Sequence, residues 1–244
     1  MKTLAAKSPR DPALQVSPSQ TLSRGIRALE ILAEAERPLT IAELSAALGV
    51  HRSVAYRILR TLEDHSLLVR DDAGRVQPGP GLAALARGVS RDLQTAALPE
   101  LTQLANSLNM TAFVAVWDHQ DCITLVTVEP RRSGAAVAQH PGSRHPINAG
   151  APGIAIQSAF EERQWRELAP GVDYRPEAAD ARRHGYAASH DEVIAGVSSL
   201  AVPVNVPGRR PAALAVVYIR SSQDPAEVAG ALKASAGRIE GQLA

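Results

Sequence analysis

Between residues 21 and 35 apolar side chains recur at Leu22, Ile26, Leu29 and Leu32 or Ala33, with Arg24, Arg27, Glu30 and Glu34 outside that stripe. Spacing of three and four predicts an amphipathic helix. Arg37-Pro38 interrupts it, because the residue before a proline is pushed out of the helical region. Thr40 and Glu43 have the spacing of a capping box. A short helix is therefore predicted over 41–48, closed at Gly49. A second is predicted from Arg52 to about His65 on the stripe Val54 or Ala55, Ile58, Leu59 and Leu62. Two extended stretches, 67–70 and 75–77, flank the turn Asp72-Ala73-Gly74.

Further along, alanine and leucine dominate from Pro80 to Ala97 and predict one helix, bounded by Pro80 and Pro99. Leu101, Leu104, Ala105 and Leu108 give another amphipathic helix. Residues 112–117 and 122–128 are rich in β-branched side chains and predict two strands joined by Asp118-His119-Gln120-Asp121. A third strand is expected around 135–139, helices over 152–169, and strands over 185–190, 198–205 and 212–220. The last two are joined by a hairpin loop at 206–211. A closing helix carries Val228, Leu232, Ser235 or Ala236, Ile239 and Leu243 on one face. Strands and helices mixed without strict βαβ alternation indicate an α+β domain. The expected organisation is a disordered leader over 1–20, with Pro9, Pro12 and Pro18 and no apolar signal core. A helix-turn-helix domain over 21–79, a linker helix over 80–97 and a second domain over 98–244 follow it.

The stretch IAELSAALGVHRSVAYRILRTL carries the most specific chemistry. Two helices that cross steeply need a small residue at their approach, here Ser45 or Ala46, and a turn residue able to go left-handed, here Gly49. Leu44, Leu48, Val50, Ala55 and Ile58 are spaced to form the core between them. The remaining face of the second helix holds Arg52, Ser53, Tyr56, Arg57 and Arg60, and no acid occurs from His51 to Thr61. A cationic, hydroxyl-bearing helix face suits the major groove and its phosphates. A solvated surface helix in a three-helix bundle is the competing reading, and the following hairpin favours a winged helix-turn-helix. Arg52, Ser53, Tyr56 and Arg57 are expected to face the groove, and Arg60 a phosphate. The wing at Gly74 and Arg75 is expected on the backbone or minor groove. Thr40 and His51, at the starts of the two helices, complete the expected DNA-binding set.

Composition narrows the alternatives. The net charge over 244 residues is only +1, so any basic surface is local. Aromatics at 3% argue against single-strand or RNA binding by base stacking. The one cysteine, Cys122, excludes an intrachain disulfide framework and a cysteine-rich zinc site, and fits a reducing cytoplasm. No apolar run approaches the ~20 residues that span a bilayer.

The block TIAELSAALGVHRSVAYRILRTLEDHSLLVRDDAGRVQPGPGL, with the helices on either side of it, resembles the IclR family of regulators. The likeness continues through HPGSRHPINAGAPGIAIQSAF, RRHGYAASHDE and GVSSLAVPV, and covers nearly all of the chain except the leader. It implies a sensor domain like the GAF fold, in which a curved antiparallel sheet holds a small effector. It also implies dimerisation of the DNA-binding halves through the first helix and the linker helix. By resemblance, Val114, Ala151, Pro152, Gly153, Ser189, Val197 and Ser199 line the effector pocket. The small residues around Gly150 and Gly153 would let amides at a helix start face a carboxylate. The alternative is a tight loop that simply needs small residues. The chain departs from the family pattern at Pro152, which has no N–H, at Ile154 where a basic residue is usual, and at Ser189, where an acid is frequent. The implied function is a cytoplasmic, homodimeric or homotetrameric regulator that binds double-stranded operator DNA and answers to an organic acid or aromatic metabolite. No cofactor, metal, catalytic residue or membrane contact is expected.

Two rival chemistries lack the residue patterns they need. His140, His145, His184 and His190 have no metal-ligand spacing. Ser189, His190 and Asp191 are consecutive, so on a strand they point to alternating faces, and no nucleophile elbow is present. The arginine pairs 131–132 and 209–210 are expected to be solvated. An enzyme carrying a helix-turn-helix, and a DNA-binding protein with a ligand-free dimerisation domain, remain the alternatives.

Overall fold

The computed structural model describes residues 19–131, 137, 139–219 and 221–244. The expected leader up to residue 18 and most of the strand expected around 135–139 lie outside them. Two compact units separate between Arg91 and Asp92.

The first unit comprises α1 (Gln20–Glu34), α2 (Ile41–Leu48), α3 (Arg52–Asp64), β1 (Leu68–Arg70), β2 (Val76–Pro78) and α4 (Gly81–Ala86). Its core is Ala28, Leu32, Leu44, Ile58, Leu59, Leu62, Leu68 and Val76. The capping box at α2 forms in both directions. Thr40 N–H donates to Glu43 Oε2 at 2.8 Å, and Glu43 N–H donates to Thr40 Oγ1 at 3.2 Å. Gly49 closes α2 in the left-handed region at φ 65°, which costs glycine nothing. β1 and β2 pair antiparallel, and Leu39 bridges to Val76 as a short third member of the wing.

Two expectations change here. The buried line of α1 is Gly25, Ala28 and Leu32, while Leu22 and Ile26 are 63% and 50% exposed. The face of α1 toward α3 is lined by small residues, and a Cβ added at Gly25 would make an ordinary van der Waals contact with Ile58 Cγ2 at 3.9 Å. The expected single linker helix over 80–97 is two pieces. α4 ends at Ala86, Ser90 adopts φ 44°, and a new helix, α5 (Arg91–Leu108), runs straight through Pro99. A proline inside a helix costs about 3 kcal/mol. The buried stripe of Leu93, Ala96, Ala97, Leu101, Leu104 and Ala105 offsets that cost, so Pro99 does not end the helix.

In the second unit α5 is followed by β3 (Thr111–Asp118), β4 (Asp121–Val128), β5 (Arg144–Pro146), α6 (Gly150–Ser158), α7 (Glu162–Leu168), α8 (Pro176–His184), β6 (Ala187–His190), β7 (Ser198–Val204), β8 (Ala212–Tyr218) and α9 (Pro225–Leu243). β5 and α8 had no clear sequence signal. The six strands form one antiparallel sheet in the order β5-β4-β3-β8-β7-β6. The architecture is the expected α+β class.

Both faces of this sheet are covered, so alternate residues along each strand belong to different cores. Ala112 and Val114 of β3, Leu200 and Val202 of β7, and Leu214 and Val216 of β8 pack under α5 and α9. Phe113, Ala115 and Trp117, with Ala201, Ala213 and Ala215, face α6, α7 and α8. Small residues on that second face admit α6, all nine residues of which are buried. Trp117 and Trp165 stack with centroids 4.8 Å apart. The 209–210 arginine pair is not merely solvated: Arg209 Nη1 meets Asp92 Oδ2 at 2.5 Å, and Arg210 Cζ lies 4.8 Å from the Trp117 ring.

Candidate functional site

On the first unit α3 is strongly amphipathic. Ala55, Ile58, Leu59 and Leu62 are buried, while Arg52, Ser53, Tyr56, Arg57 and Arg60 are exposed. Among the described residues, no carboxylate pairs with Arg52, Arg57 or Arg60. The exposed ring of Tyr56 has Arg70 Cζ 5.7 Å from its centroid, and Arg70 is fixed in turn by Glu63 at 3.0 Å. His51 caps α3: its Nδ1 lies 2.9 Å from Ser53 Oγ and accepts the Ser53 N–H at 3.4 Å. The hydroxyl of Thr40 is taken up by the α2 capping box, donating to Glu43 Oε2 at 2.9 Å. Thr40, His51 and Ser53 thus hold the two helix starts. In the wing, Asp71 Oδ1 accepts the N–H groups of Ala73 and Arg75, Gly74 turns the chain at φ 73°, and Arg75 is exposed. The arrangement presents three unpaired guanidinium groups and a phenol on one helix face beside a short hairpin.

On the second unit a cleft lies where α6 starts, between β3, β7, β8 and the loop after β6. It offers about 40 Å³ to the centre of a water-sized molecule. Of the expected lining residues, Pro152, Ser189, Val197 and Ser199 border it; Val114, Ala151 and Gly153 do not. Val114 sits in the other core, and its neighbour Phe113 lines the cleft instead, since a one-residue step along a strand reverses the face. Ala151 is buried, with its N–H donating to Ser189 Oγ at 2.8 Å. Gly153 is a packing residue: a Cβ there would lie 2.1 Å from the Ile147 carbonyl oxygen.

Outside the expected set, Phe113, Gln139, His145, Glu192, Val193 and Ile194 also line the cleft. Glu192 Oε2 accepts the Gly150 N–H at 2.9 Å and meets Arg175 Nη1 at 2.9 Å. Arg175 also grips Glu177, donating from Nε and Nη2 at 2.9 Å each, and donates from Nη1 to the Asn148 carbonyl at 2.8 Å. Burial pushes the Glu192 carboxyl up, but Arg175 and the Gly150 amide outweigh it and hold it below its ordinary value. The hydrogen bonds and charge of Arg175 lower Glu177 to about 2. His145 is buried, which pushes it below its ordinary value and keeps it neutral, and its Nδ1 lies 3.1 Å from the Pro146 carbonyl. Burial raises the Cys122 thiol far above its ordinary value and leaves it without thiolate reactivity. His190 bridges Ser198 and Asp191 at 2.9 and 3.1 Å, on exposed side chains outside the cleft. Among the described residues, no three of His, Cys, Asp and Glu converge as metal ligands would.

Comparison with known proteins accounts for both units. The model of the IclR helix-turn-helix domain matches residues 21–72, and that of the C-terminal domain of the bacterial transcriptional regulator IclR matches 88–240. HTH-type transcriptional regulator Rv1719 of Mycobacterium tuberculosis is 30% identical over 249 residues, covering 91% of each chain. The crystal structure of an IclR transcriptional regulator from Alicyclobacillus acidocaldarius is 27% identical with a TM-score of 0.80, over 93% of this chain and 100% of that one. An IclR homologue from Microbacterium hydrocarbonoxydans, solved in complex with 4-hydroxybenzoate, shares the fold at 24% identity and a TM-score of 0.76, over 91% and 98% of the two chains. No described helix is long and apolar enough to cross a membrane. The chain belongs to the IclR family of transcriptional regulators.

Proposed function

We propose that this IclR-type regulator binds operator DNA as a homodimer or homotetramer, and that a small organic metabolite in the C-terminal cleft modulates the binding. The observation that carries the DNA half is the α3 face: Arg52, Arg57 and Arg60 stand exposed and unpaired by carboxylates among the described residues. Arginines reach guanine edges and phosphates in the major groove, and each good base contact is worth roughly 1–3 kcal/mol. Gly74 and Arg75 of the wing are assigned to the DNA backbone or minor groove. Exposed Leu22 and Ile26 on α1, with Leu85 on α4, support self-association of the DNA-binding unit.

The cleft supports the sensing half: it combines apolar walls with a few convergent polar groups, as small-molecule sites do. The solved relative that holds 4-hydroxybenzoate supports the same class of function, a small organic effector. Relatives of this chain such as Rv1719 are transcriptional regulators, and we assign the chain no catalytic step. The test is selection of binding sites from random duplexes, followed by gel-shift titration. The wild type is expected to enrich a site, and Arg52→Ala/Arg57→Ala to lose most of its affinity for it. An unchanged affinity in the double variant overturns the assignment of α3.

A further inference from the structure

We infer that the C-terminal cleft selects a small uncharged ligand bearing hydrogen-bond donors, rejects carboxylates, and owes this choice to Glu192 and Ser189. The inference rests on reading the cleft as the effector site.

The first turn of a helix ordinarily leaves N–H groups free, and together with the helix dipole they make a place for an anion. At the start of α6 none of the first three residues offers one. Gly150 N–H donates to Glu192 Oε2 at 2.9 Å, Ala151 N–H donates to Ser189 Oγ at 2.8 Å, and Pro152 has no N–H. The position an incoming carboxylate would take is filled by a carboxylate and a hydroxyl of the chain itself.

A cation could compensate, but among the described residues no lysine or arginine lines the cleft. Arg175 stands behind Glu192, its Nη1 2.9 Å from Glu192 Oε2. A guanidinium has five N–H donors. Those of Arg175 go to Glu177 (from Nε and Nη2), to Asn148 O and Glu192 Oε2 (from Nη1), and to Glu192 Oε1 at 3.3 Å (from Nη2). Among the described residues, an acid in the cleft would therefore meet the ionised Glu192 with no free guanidinium or ammonium to answer it.

What the cleft does offer is acceptors. Ser199 donates its own proton to the Val216 carbonyl at 2.9 Å, which leaves its oxygen lone pairs available. Gln139 uses its NH₂ group on Thr124 Oγ1 at 2.6 Å and keeps its carbonyl oxygen. Glu192 adds an anionic acceptor. Hydroxyl or amide N–H groups on a ligand satisfy all three, while Phe113, Val197 and Val217 take its carbon skeleton.

Lactamide and lactate test this directly, because they match in shape and differ in charge and donor count. Each is titrated into the full-length protein, with the Gly150 amide signal followed by NMR of the [15N]glycine-labelled chain. We expect lactamide to bind wild type at least tenfold tighter than lactate. Glu192→Gln removes the charge while keeping the shape, and Ser189→Ala frees the Ala151 N–H. Each is expected to shrink the preference at least fivefold. The proposal is overturned if lactate binds wild type as tightly as lactamide, if neither ligand moves the Gly150 signal saturably, or if both variants retain the wild-type ratio. Should one variant fail to fold, the other decides alone. Duplex selection is scored separately: a protein that enriches no DNA yet discriminates the two ligands sinks the regulator reading and leaves this one standing.

Discussion

Phe113 and Val114 are consecutive in β3 and belong to opposite cores, Phe113 beside the start of α6 and Val114 under α5 and α9. Ligand affinity and fold stability should therefore separate along one dipeptide. Val114→Ala removes two buried methyl groups from a closed core and is expected to cost about 2 kcal/mol of unfolding free energy. Its affinity for lactamide should stay within threefold of wild type. Phe113→Leu should cost less than about 1.5 kcal/mol and change lactamide affinity at least fivefold. Urea denaturation and the NMR titration measure the two quantities. A Val114→Ala variant with impaired ligand binding and an unimpaired Phe113→Leu would reverse the placement of β3.

This dipeptide also explains which parts of the molecule were legible beforehand. The helix-turn-helix was readable because its signals are local: Thr40 with Glu43, left-handed Gly49, and the stripe Ala55, Ile58, Leu59, Leu62 on one helix. In β3, TAFVAVWD is apolar on both faces, so alternation carries no information about which side faces the cleft. The resemblance supplied Val114, and the register supplies Phe113. Glu192 closes the motif RRHGYAASHDE, but nothing local marks it as a wall of the cleft, since its partners Gly150 and Arg175 lie 42 and 17 residues away. Leu22 and Ile26 looked like core because periodicity marks an apolar line on a helix without saying what covers it.

The Arg175 clamp makes stability depend on acid. Glu177 is lowered from 4.5 to about 2 in the folded chain. A carboxyl depressed on folding stabilises the native state above its unfolded value, and that contribution fades as pH falls toward the folded one. The melting temperature should therefore drop between pH 5 and pH 2. In Glu177→Gln the drop should be shallower and the starting value at pH 7 lower. Because the Glu177 side chain is half exposed, the difference is expected to be modest. Parallel melting curves for the two proteins across that range would count against the clamp.

DNA contacts of two kinds should be separable on α3. Arg60 is assigned to a phosphate, so Arg60→Ala should weaken binding to every duplex alike and lower the slope of log K against log salt by about 1. Arg57 is assigned to a base edge. Arg57→Ala should cost roughly 1–3 kcal/mol on the selected site, little on unrelated DNA, and relax the preference at one position. Fluorescence anisotropy at several salt concentrations distinguishes them. Equal salt slopes for wild type and Arg60→Ala would remove the phosphate assignment.

Leu22 and Ile26 form an apolar pair on the outer line of α1, four residues apart and so on one face. They make no core contribution, since the buried line of α1 is Gly25, Ala28 and Leu32. Replacing both by glutamate should leave the thermal melt of the DNA-binding unit within about 0.5 kcal/mol of wild type, as surface changes do. If this face joins two copies, the same variant puts four carboxylates into an apolar contact and separates the DNA-binding units. One winged helix reading one half-site forfeits the gain from a tethered second site, which is on the order of 10² or more in apparent affinity. The expected outcome is a regulator with a native melt, the wild-type lactamide affinity, and operator affinity reduced about a hundredfold. Sedimentation of the full chain then shows whether the second unit alone keeps the copies together. A doubly substituted protein that binds its operator like wild type would place the DNA-domain contact on another face, and Leu85 of α4 is the next residue to substitute.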